Sequence, residues 1–151
     1  LIELLVVIGI LAILLSIVLI AINPARQFGQ ANDTRRRSDV TQILNAIGAY
    51  AADNKGTLPA GIPLDDPLTP ALDGQLPISS GLPAVAADIC AAIMPTYIPA
   101  LPQDPKTGTG TSITTCTTYD TGYTVVKDAS NRVTVAAPAT EVASTPISIT
   151  R

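Results

Sequence analysis

The first 22 residues of the chain, LIELLVVIGILAILLSIVLIAI, contain one charged side chain, Glu3, and one hydroxyl, Ser16. As a helix that rises about 1.5 Å per residue, this run is roughly 33 Å long, enough to cross a hydrocarbon core of about 30 Å. A helix in a soluble domain is apolar on one face only, whereas this one is apolar all round. The run therefore predicts a membrane-spanning helix, which has to lie outside any soluble domain that follows.

Glu3 is the residue that a simple membrane anchor would not need. A carboxylate in the middle of a bilayer costs several kcal/mol unless it is paired or lies close to the interface. One interpretation places Glu3 at the interface, where it needs no partner. The other gives it a specific positively charged partner, and the residues alone leave both open.

The residues around Glu3 resemble a family signature. Leu-Ile precedes Glu3, and fourteen aliphatic or small residues, 4–17, follow it. This string resembles the N-terminal signature of the type IV pilins and of the pseudopilins of type II secretion systems, and it covers about the first 25 residues. In that family the mature chain begins with an N-methylated aromatic residue, usually Phe, and then typically Thr ahead of Leu-Ile-Glu. This sequence does not contain those two positions.

The resemblance implies a structural role and a place in the cell. A prepilin peptidase would remove a short basic leader, and the apolar helix would hold the subunit in the bacterial inner membrane. The pilus assembly machinery would then move it into an extracellular filament on the cell surface, where its partners are copies of the same chain. Glu3 would pair with the N-terminal amine of a neighbouring subunit, and the helix between Gly9 and Pro24 would loosen on assembly.

Small residues in the apolar run permit close packing between membrane helices, although they are also common in any membrane helix. They are Gly9, Ala12, Ser16 and Ala21.

The arginines after the apolar run bear on its orientation. Arg26 and three arginines at 35–37 follow the run, and the positive-inside rule would place them in the cytoplasm. We expect the opposite orientation, because the leader implied by the family carries its own positive charge and because the two cysteines favour an oxidising compartment.

Residues 24–55 are expected to continue the helix as an amphipathic half, after a kink just before Pro24. Proline lacks an N–H, and its ring crowds the carbonyl four residues back. Gly56 suits a left-handed cap at the end of the helix, which with residues 1–23 would span about 54 residues, or roughly 80 Å. One apolar stripe at helical spacing contains Val40, Ile43, Leu44, Ile47 and Ala51, with Tyr50 beside it. The polar residues expected to point elsewhere are Asp39, Gln42, Asn45 and Asp53.

The charged string DTRRRSD, residues 33–39, allows two ion pairs between residues four apart. These are Asp33 with Arg37 and Arg35 with Asp39, each worth a few tenths of a kcal/mol, so we expect a solvated, self-paired face. Adjacent arginines also suit phosphate binding. With 9 basic against 12 acidic residues, however, the chain lacks the broad basic surface of a nucleic-acid-binding protein. Nucleic acid is therefore not expected as a direct ligand.

The rest of the chain predicts an α+β fold. Residues 56–83 contain six prolines, which predicts a long loop without regular elements. Residues 84–151 are expected to hold a short helix and an antiparallel sheet of three or four strands packed on the apolar stripe. The helix is expected at 84–97, the strands at 112–119, 123–126, 132–136 and, on an edge, 147–150, and hairpin turns at 120–122 and 128–131. This order of elements is also the pilin-like architecture that the resemblance implies.

Cys90 and Cys116 are the only cysteines and lie 26 residues apart. In an exported domain a disulfide between them is expected, and closing a loop of that size is worth about 3 kcal/mol in the chain-entropy model. Two buried free thiols in a cytosolic protein are the alternative. A redox or metal role is not expected, since the chain has no CxxC motif and no His.

The composition argues against catalysis. Without His the chain lacks the most common general base and metal ligand, and no nucleophile can be paired with a base. We therefore expect no catalytic residue, cofactor or metal site. The leading prediction is a pilin-like structural subunit that assembles through its N-terminal helix. A pseudopilin is the alternative within that class, and a monomeric membrane-tethered surface binding module is the alternative from another class. Glu3 favours assembly, because a tether has no use for it.

Overall fold

Two helices separated by one residue form the first 53 residues. In the computed structural model, which describes residues 1–65, 75–81 and 86–151, α1 is Ile2–Ile22 and α2 is Pro24–Asp53. Asn23 between them has a φ of 46°, in the left-handed region that asparagine tolerates better than most residues. The Asn23 side chain accepts a hydrogen bond from the Arg26 N–H, and Pro24 occupies the first turn of α2. The predicted break just before Pro24 is therefore confirmed.

The other elements form a four-stranded antiparallel sheet and one short helix. The strands are β1 (Leu76–Ser79), β2 (Asp120–Lys127), β3 (Val133–Ala137) and β4 (Ile147–Thr150), in that order across the sheet, and α3 is Cys90–Ile93. The hairpin between β2 and β3 closes around Asp128, whose carboxylate accepts hydrogen bonds from the Ser130 and Arg132 N–H groups. The chain thus has the predicted α+β fold, with the predicted edge strand at 147–150 and the predicted turn at 128–131.

The core lies between α2 and the sheet. α2 packs on β3 and β4, and α3 also contacts α2. The apolar stripe of α2 is confirmed at Val40, Ile43, Leu44 and Ile47, all buried, while Ala51 is only partly buried. Side chains of the sheet that are fully buried include Ile78, Tyr123, Val125, Val135 and Ala137. The single layer of helices on one sheet face leaves α1 outside this core.

The first strand lies inside the segment that was expected to be a loop. β1 is an edge strand, and a proline such as Pro77, which cannot donate to a ladder, is tolerated at an edge. The Pro77 carbonyl accepts a hydrogen bond from the Ala87 N–H at 2.8 Å. The prediction of a loop without regular elements over 56–83 is therefore wrong at residues 76–79. Residues 66–74 and 82–83 of that segment lie outside the described residues.

The expected first strand, 112–119, does not form. Only Ile113 pairs there, exchanging backbone hydrogen bonds of 2.9 and 2.7 Å with Leu101. Thr favours strands when it packs against neighbouring strands, so an exposed threonine run has little to hold it in one. The turn expected at 120–122 lies within β2, where Gly122 has a φ of 74° and the pairing with β1 shifts register.

α3 is also shorter than the expected helix over 84–97, of which residues 84–85 lie outside the described residues. It ends at Ile93 because Met94 precedes Pro95 and is extended, with φ −103° and ψ 143°. The ring of a proline disfavours the helical conformation in the residue before it.

The predicted disulfide between Cys90 and Cys116 is present. Cys90 begins α3, as expected, but Cys116 lies in the irregular segment that leads into β2 and not in a strand. The bond therefore ties α3 to the approach to β2.

Replacing both cysteines with Ser should lower the unfolding free energy of a soluble fragment beginning at Pro24 by about 3 kcal/mol, because the unfolded chain regains the freedom of a 26-residue loop. Urea denaturation monitored by circular dichroism measures this. A fragment that reacts at both cysteines with a thiol reagent, native and without reductant, would show that the bond does not form.

Candidate functional site

α1 is exposed along its whole length. None of its residues is buried, and an 18-residue window of it has a mean hydropathy of 3.4. By length and composition it is the one helix among the described residues that is long and apolar enough to cross a membrane. Its large aliphatic side chains are half or more exposed, and nothing in the described part of the chain covers them.

The three residues that the resemblance connects with assembly do not meet within one copy. Glu3 lies in the first turn of α1 and forms no ion pair with the described residues. Pro24 lies at the other end, roughly 32 Å further along the helical path. Gly9 lies between them, and a Cβ there would meet no atom within 4 Å, so packing inside this chain does not require a glycine. Any shared role of these residues has to involve other molecules.

At the junction between the two helices, backbone hydrogen bonds join Asn23 to α2. The N–H groups of Arg26 and Gln27 both donate to the Asn23 carbonyl, at 3.1 and 3.4 Å. Pro24 has no N–H to offer the carbonyl of Ile20, which thereby loses its helical partner. The first turn of α2 is therefore complete without any hydrogen bond from α1.

A buried ion cluster connects α2 to two distant loops. The Arg36 side chain is fully buried. Its Nε donates to Asp104 Oδ2 at 2.6 Å, its Nη1 to Asp33 Oδ1 at 2.8 Å, and its Nη2 to Glu141 Oε1 at 3.1 Å. The expected solvated face is therefore wrong at Asp33 and Arg36, which are buried, and Asp33 pairs with Arg36 and not with Arg37.

Asp33 holds the loop between β3 and β4 against α2. Its carboxylate accepts hydrogen bonds from the backbone N–H groups of Glu141, Val142 and Ala143, at 3.0, 2.9 and 2.9 Å. A glycine at position 29 lets this loop come close, since a Cβ there would lie 2.8 Å from Val142 Cγ2. One carboxylate thus fixes three successive peptide groups on the surface of α2.

The pKa values of the cluster reflect this geometry. The hydrogen bond from Arg36 to Asp104 raises the pKa of Arg36 more than burial lowers it. The hydrogen bond to Asp33 raises that pKa further. Burial alone would raise the pKa of Asp33, but the three backbone N–H groups and Arg36 outweigh it and hold that pKa well below its usual range. Burial is likewise outweighed at Asp104, where hydrogen bonds from Arg36 and two backbone N–H groups lower the pKa. Arg36, Asp33 and Asp104 are therefore ionised at neutral pH.

Asp39 is a second polar residue of α2 that is buried against expectation. Tyr123 Oη donates to its Oδ2 at 2.7 Å, and Arg35 Nε lies 3.8 Å from the same oxygen, which confirms the predicted pairing of Arg35 with Asp39. Burial raises the pKa of Asp39 despite these two neighbours. Burial and then the Asp39 carboxylate raise the pKa of Tyr123.

The carboxylates of the cluster are arranged around the Arg36 guanidinium and not around a space for a metal ion. Within residues 1–65, 75–81 and 86–151, no group of three or more His, Cys, Asp or Glu side chains is arranged to hold a metal ion.

A signal for the cluster was present in the sequence. Gly29, Asp33 and Arg36 continue the spacing of the apolar stripe of α2 toward its N-terminus, at intervals of four and three residues from Val40. Their long-range partners, Asp104 and Glu141, carry no such pattern. The predicted buried face ended at Val40 because charged residues are seldom fully buried unless they are paired.

Lowering the pH should destabilise the soluble fragment from about pH 4 downward. Asp33 and Asp104 have lower pKa values folded than unfolded, so their contribution is complete above the ordinary value of 3.8 and is lost as the pH falls through the folded values. Asp33→Asn should remove about 3 kcal/mol at pH 7 and flatten the acid limb of the profile.

Asp39→Asn is the matched control. Burial raises the pKa of Asp39 in the folded protein, so the ionised form of Asp39 disfavours folding. The amide of the variant can still accept the hydrogen bond from Tyr123. Its loss at pH 7 should be smaller than that of Asp33→Asn. Equal losses from the two variants, measured by urea denaturation between pH 2 and pH 7, would contradict the roles given to Asp33 and Asp39.

No protein-family model, no curated protein and no solved structure matches the chain. A function has to be inferred from the exposed helix, the junction at Asn23 and the buried cluster.

Proposed function

We propose that the chain is a structural subunit that α1 holds in a membrane and that polymerises through α1 into an extracellular filament of the type IV pilus kind. The observation that carries this proposal is that a 21-residue aliphatic helix has no buried residue and yet bears an acidic side chain in its first turn. The first property demands an apolar partner. Inside a filament the second requires a partner that also supplies a positive charge, because a buried carboxylate is costly unless it is paired.

The energetics of α1 favour a second apolar environment. Covering a large aliphatic side chain contributes about 1.5–3 kcal/mol, so covering α1 is worth on the order of tens of kcal/mol. Lipid supplies this cover in a membrane. In a filament other copies of α1 would supply it, so a subunit can leave the bilayer without exposing the helix to water.

The rigid attachment of α2 supports the same function. Arg36 and Asp33 tie the N-terminal half of α2 to two loops of the globular domain. The domain is therefore held at a fixed position on α2, only one residue away from α1. A structural subunit needs this property, since repeating contacts require repeating geometry.

Two other functions use some of these features. A pseudopilin would share the exposed helix, Glu3 and the domain, and it differs in forming a short filament inside a secretion system. A monomeric membrane-tethered binding module would share the helix and the domain but has no need for Glu3. Filaments in material sheared from the cell surface, carrying this chain by mass spectrometry, test the pilin-like function against both.

Glu3→Gln should leave the protein in the membrane fraction and reduce filament yield by about tenfold or more. The amide keeps the size of the side chain but cannot neutralise a buried positive charge on a neighbouring copy. Sheared filaments are quantified by immunoblot against total cellular protein. Asp53→Asn, which removes an acid at the exposed end of α2, is the matched control and should retain wild-type yield. Wild-type yield from Glu3→Gln and Glu3→Leu would rule out the role of Glu3.

Part of residues 11–23 should be non-helical in the filament and wound in the membrane. The missing Pro24 N–H weakens the helix at this end, and in a filament neighbouring chains and water can satisfy the freed carbonyls. A filament map at side-chain resolution measures this, and Pro24→Ala, which returns the N–H, should extend the helical part. Unbroken helical hydrogen bonding over residues 11–23 in wild-type filaments would contradict it.

A further inference from the structure

Exposed apolar side chains of the domain gather at the end that is next to α1. Beyond α1, the large apolar side chains that the described residues leave exposed are Phe28 at 70%, Leu64 at 54% and Val142 at 39%. Phe28 is also the one exposed aromatic residue of the five in the chain. It lies in the second turn of α2, whereas Leu64 lies beside Lys127 at the end of β2.

Val142 and Arg26 lie on the same part of the surface as Phe28. A Cβ at Gly29 would be 2.8 Å from Val142 Cγ2, so Val142 lies against α2 one residue after Phe28. Arg26 lines the same groove as Gly29 and Val142. Its side chain is exposed and forms no ion pair with the described part of the chain. We refer to Arg26, Phe28 and Val142 as the base surface.

The acids near the base surface are engaged inside the domain. Glu141 lines the groove too, and its carboxylate accepts hydrogen bonds from Arg36 and Asn32 at 3.1 and 2.9 Å. Asp33 is buried and accepts hydrogen bonds from Arg36 and from three backbone N–H groups. The base surface therefore combines a cation that has no partner among the described residues with exposed aromatic and aliphatic groups.

The base surface lies at the depth of the lipid headgroups when α1 spans a bilayer. The hydrocarbon core is about 30 Å of a total of about 40–45 Å, which leaves about 5–7 Å of headgroups on each side. Residues 4–25 contain no charged side chain, and Arg26 ends that stretch. Arg26 and Phe28 are four and six residues beyond Ile22, so their Cα atoms lie at most about 6 and 9 Å beyond α1 along a helical path. A bend at the junction would only bring them closer to the membrane.

We propose that the base surface seats the domain on the phospholipid headgroups of the membrane that α1 spans, with the Arg26 guanidinium on a headgroup phosphate. This inference rests on the proposed function, since it assumes that α1 is held in a membrane. A guanidinium matches two phosphate oxygens, and its stem lies along apolar surface. Phe28 and Val142 would lie at the boundary with the acyl chains, so lipid covers the apolar groups that the domain leaves exposed.

Lipid suits the base surface better than a second copy of the chain does. The length of α1 and the one residue between α1 and α2 bring the base surface to the headgroups in every membrane-held subunit. A single cation beside a ring and an aliphatic side chain also matches a boundary where phosphate lies next to hydrocarbon. The loop that carries Val142 is fixed on α2 by Asp33, so the contact would set the height of the whole domain above the membrane.

A single tryptophan tests the depth of the base surface, because the chain has no Trp. The full-length Phe28→Trp variant is reconstituted in phosphatidylcholine vesicles, with and without bromine near the headgroup end of the acyl chains. Bromine should lower the emission about twofold or more, since the indole lies at the interface, while iodide in the water should quench it little. Ser38→Trp is the matched control, exposed on the same helix but roughly 15 Å further from α1, and it should show the reverse pattern.

Three results would overturn the seating on lipid. In the first, iodide quenches the indole at position 28 and bromine does not. In the second, bromine quenches the indoles at positions 28 and 38 equally, because α2 would then lie along the membrane. In the third, protection from iodide rises with the amount of protein per vesicle and bromine has no effect, which would make a second copy the occupant.

Substitutions at Arg26 test the contact with phosphate, in the background of Phe28→Trp. Arg26→Glu should at least halve the quenching by bromine, because phosphate repels the new acid, and Arg26→Lys should keep it. Arg37→Glu makes the same change of charge roughly 17 Å further along α2 and should leave the quenching unchanged. Unchanged quenching in Arg26→Glu would overturn the role of Arg26.

Flotation of the vesicles separates this inference from the proposed function. Wild-type chain that floats with the vesicles, together with a position 28 that stays in water, would overturn the inference alone. Wild-type chain that does not float with them would overturn the membrane anchorage in the proposed function.

Discussion

The fully buried guanidinium of Arg36 is the constraint on which the rest of the domain depends. It joins α2 to the segment at Asp104 and to the loop at Glu141, two regions that no apolar stripe would bring together. Removing one partner from such a cluster leaves an uncompensated buried charge, which costs about 3–5 kcal/mol. The cluster therefore fixes position more than it adds net stability. It determines where the loops lie on α2.

The two long helices differ in what they pack against: α2 packs on its own domain, and α1 does not. α2 has a buried face, and the cluster and the apolar stripe attach it to the sheet. α1 has no buried face, and its sequence is nearly uniform in polarity around the axis. Apolar cover for α1 has to come from outside the subunit, whereas α2 is covered by its own chain. Asn23 is where the one kind of structure changes into the other.

Local patterns predicted the elements that local physics determines. The apolar run, the break before Pro24, the stripe through Ile47 and the β2–β3 turn at Asp128 each follow from residues close in sequence. The two cysteines gave the disulfide, since they are the only pair available. The burial of Arg36 was missed because two of its three partners are 68 and 105 residues away, and short spacing suggested pairing along the helix alone. The strand expected at 112–119 failed for a related reason, because the propensity of Thr depends on neighbours that the sequence does not name.

The cap at Asn23 has a mechanical consequence. Because the N–H groups of Arg26 and Gln27 close the first turn of α2 on the Asn23 carbonyl, stretching the chain on the α1 side breaks no hydrogen bond of α2. A pulling force on α1 passes through the backbone of one residue and then reaches a helix that Asp33 and Arg36 clamp within its first four turns. Extension under load is therefore confined to α1, and the domain keeps its shape while α1 lengthens.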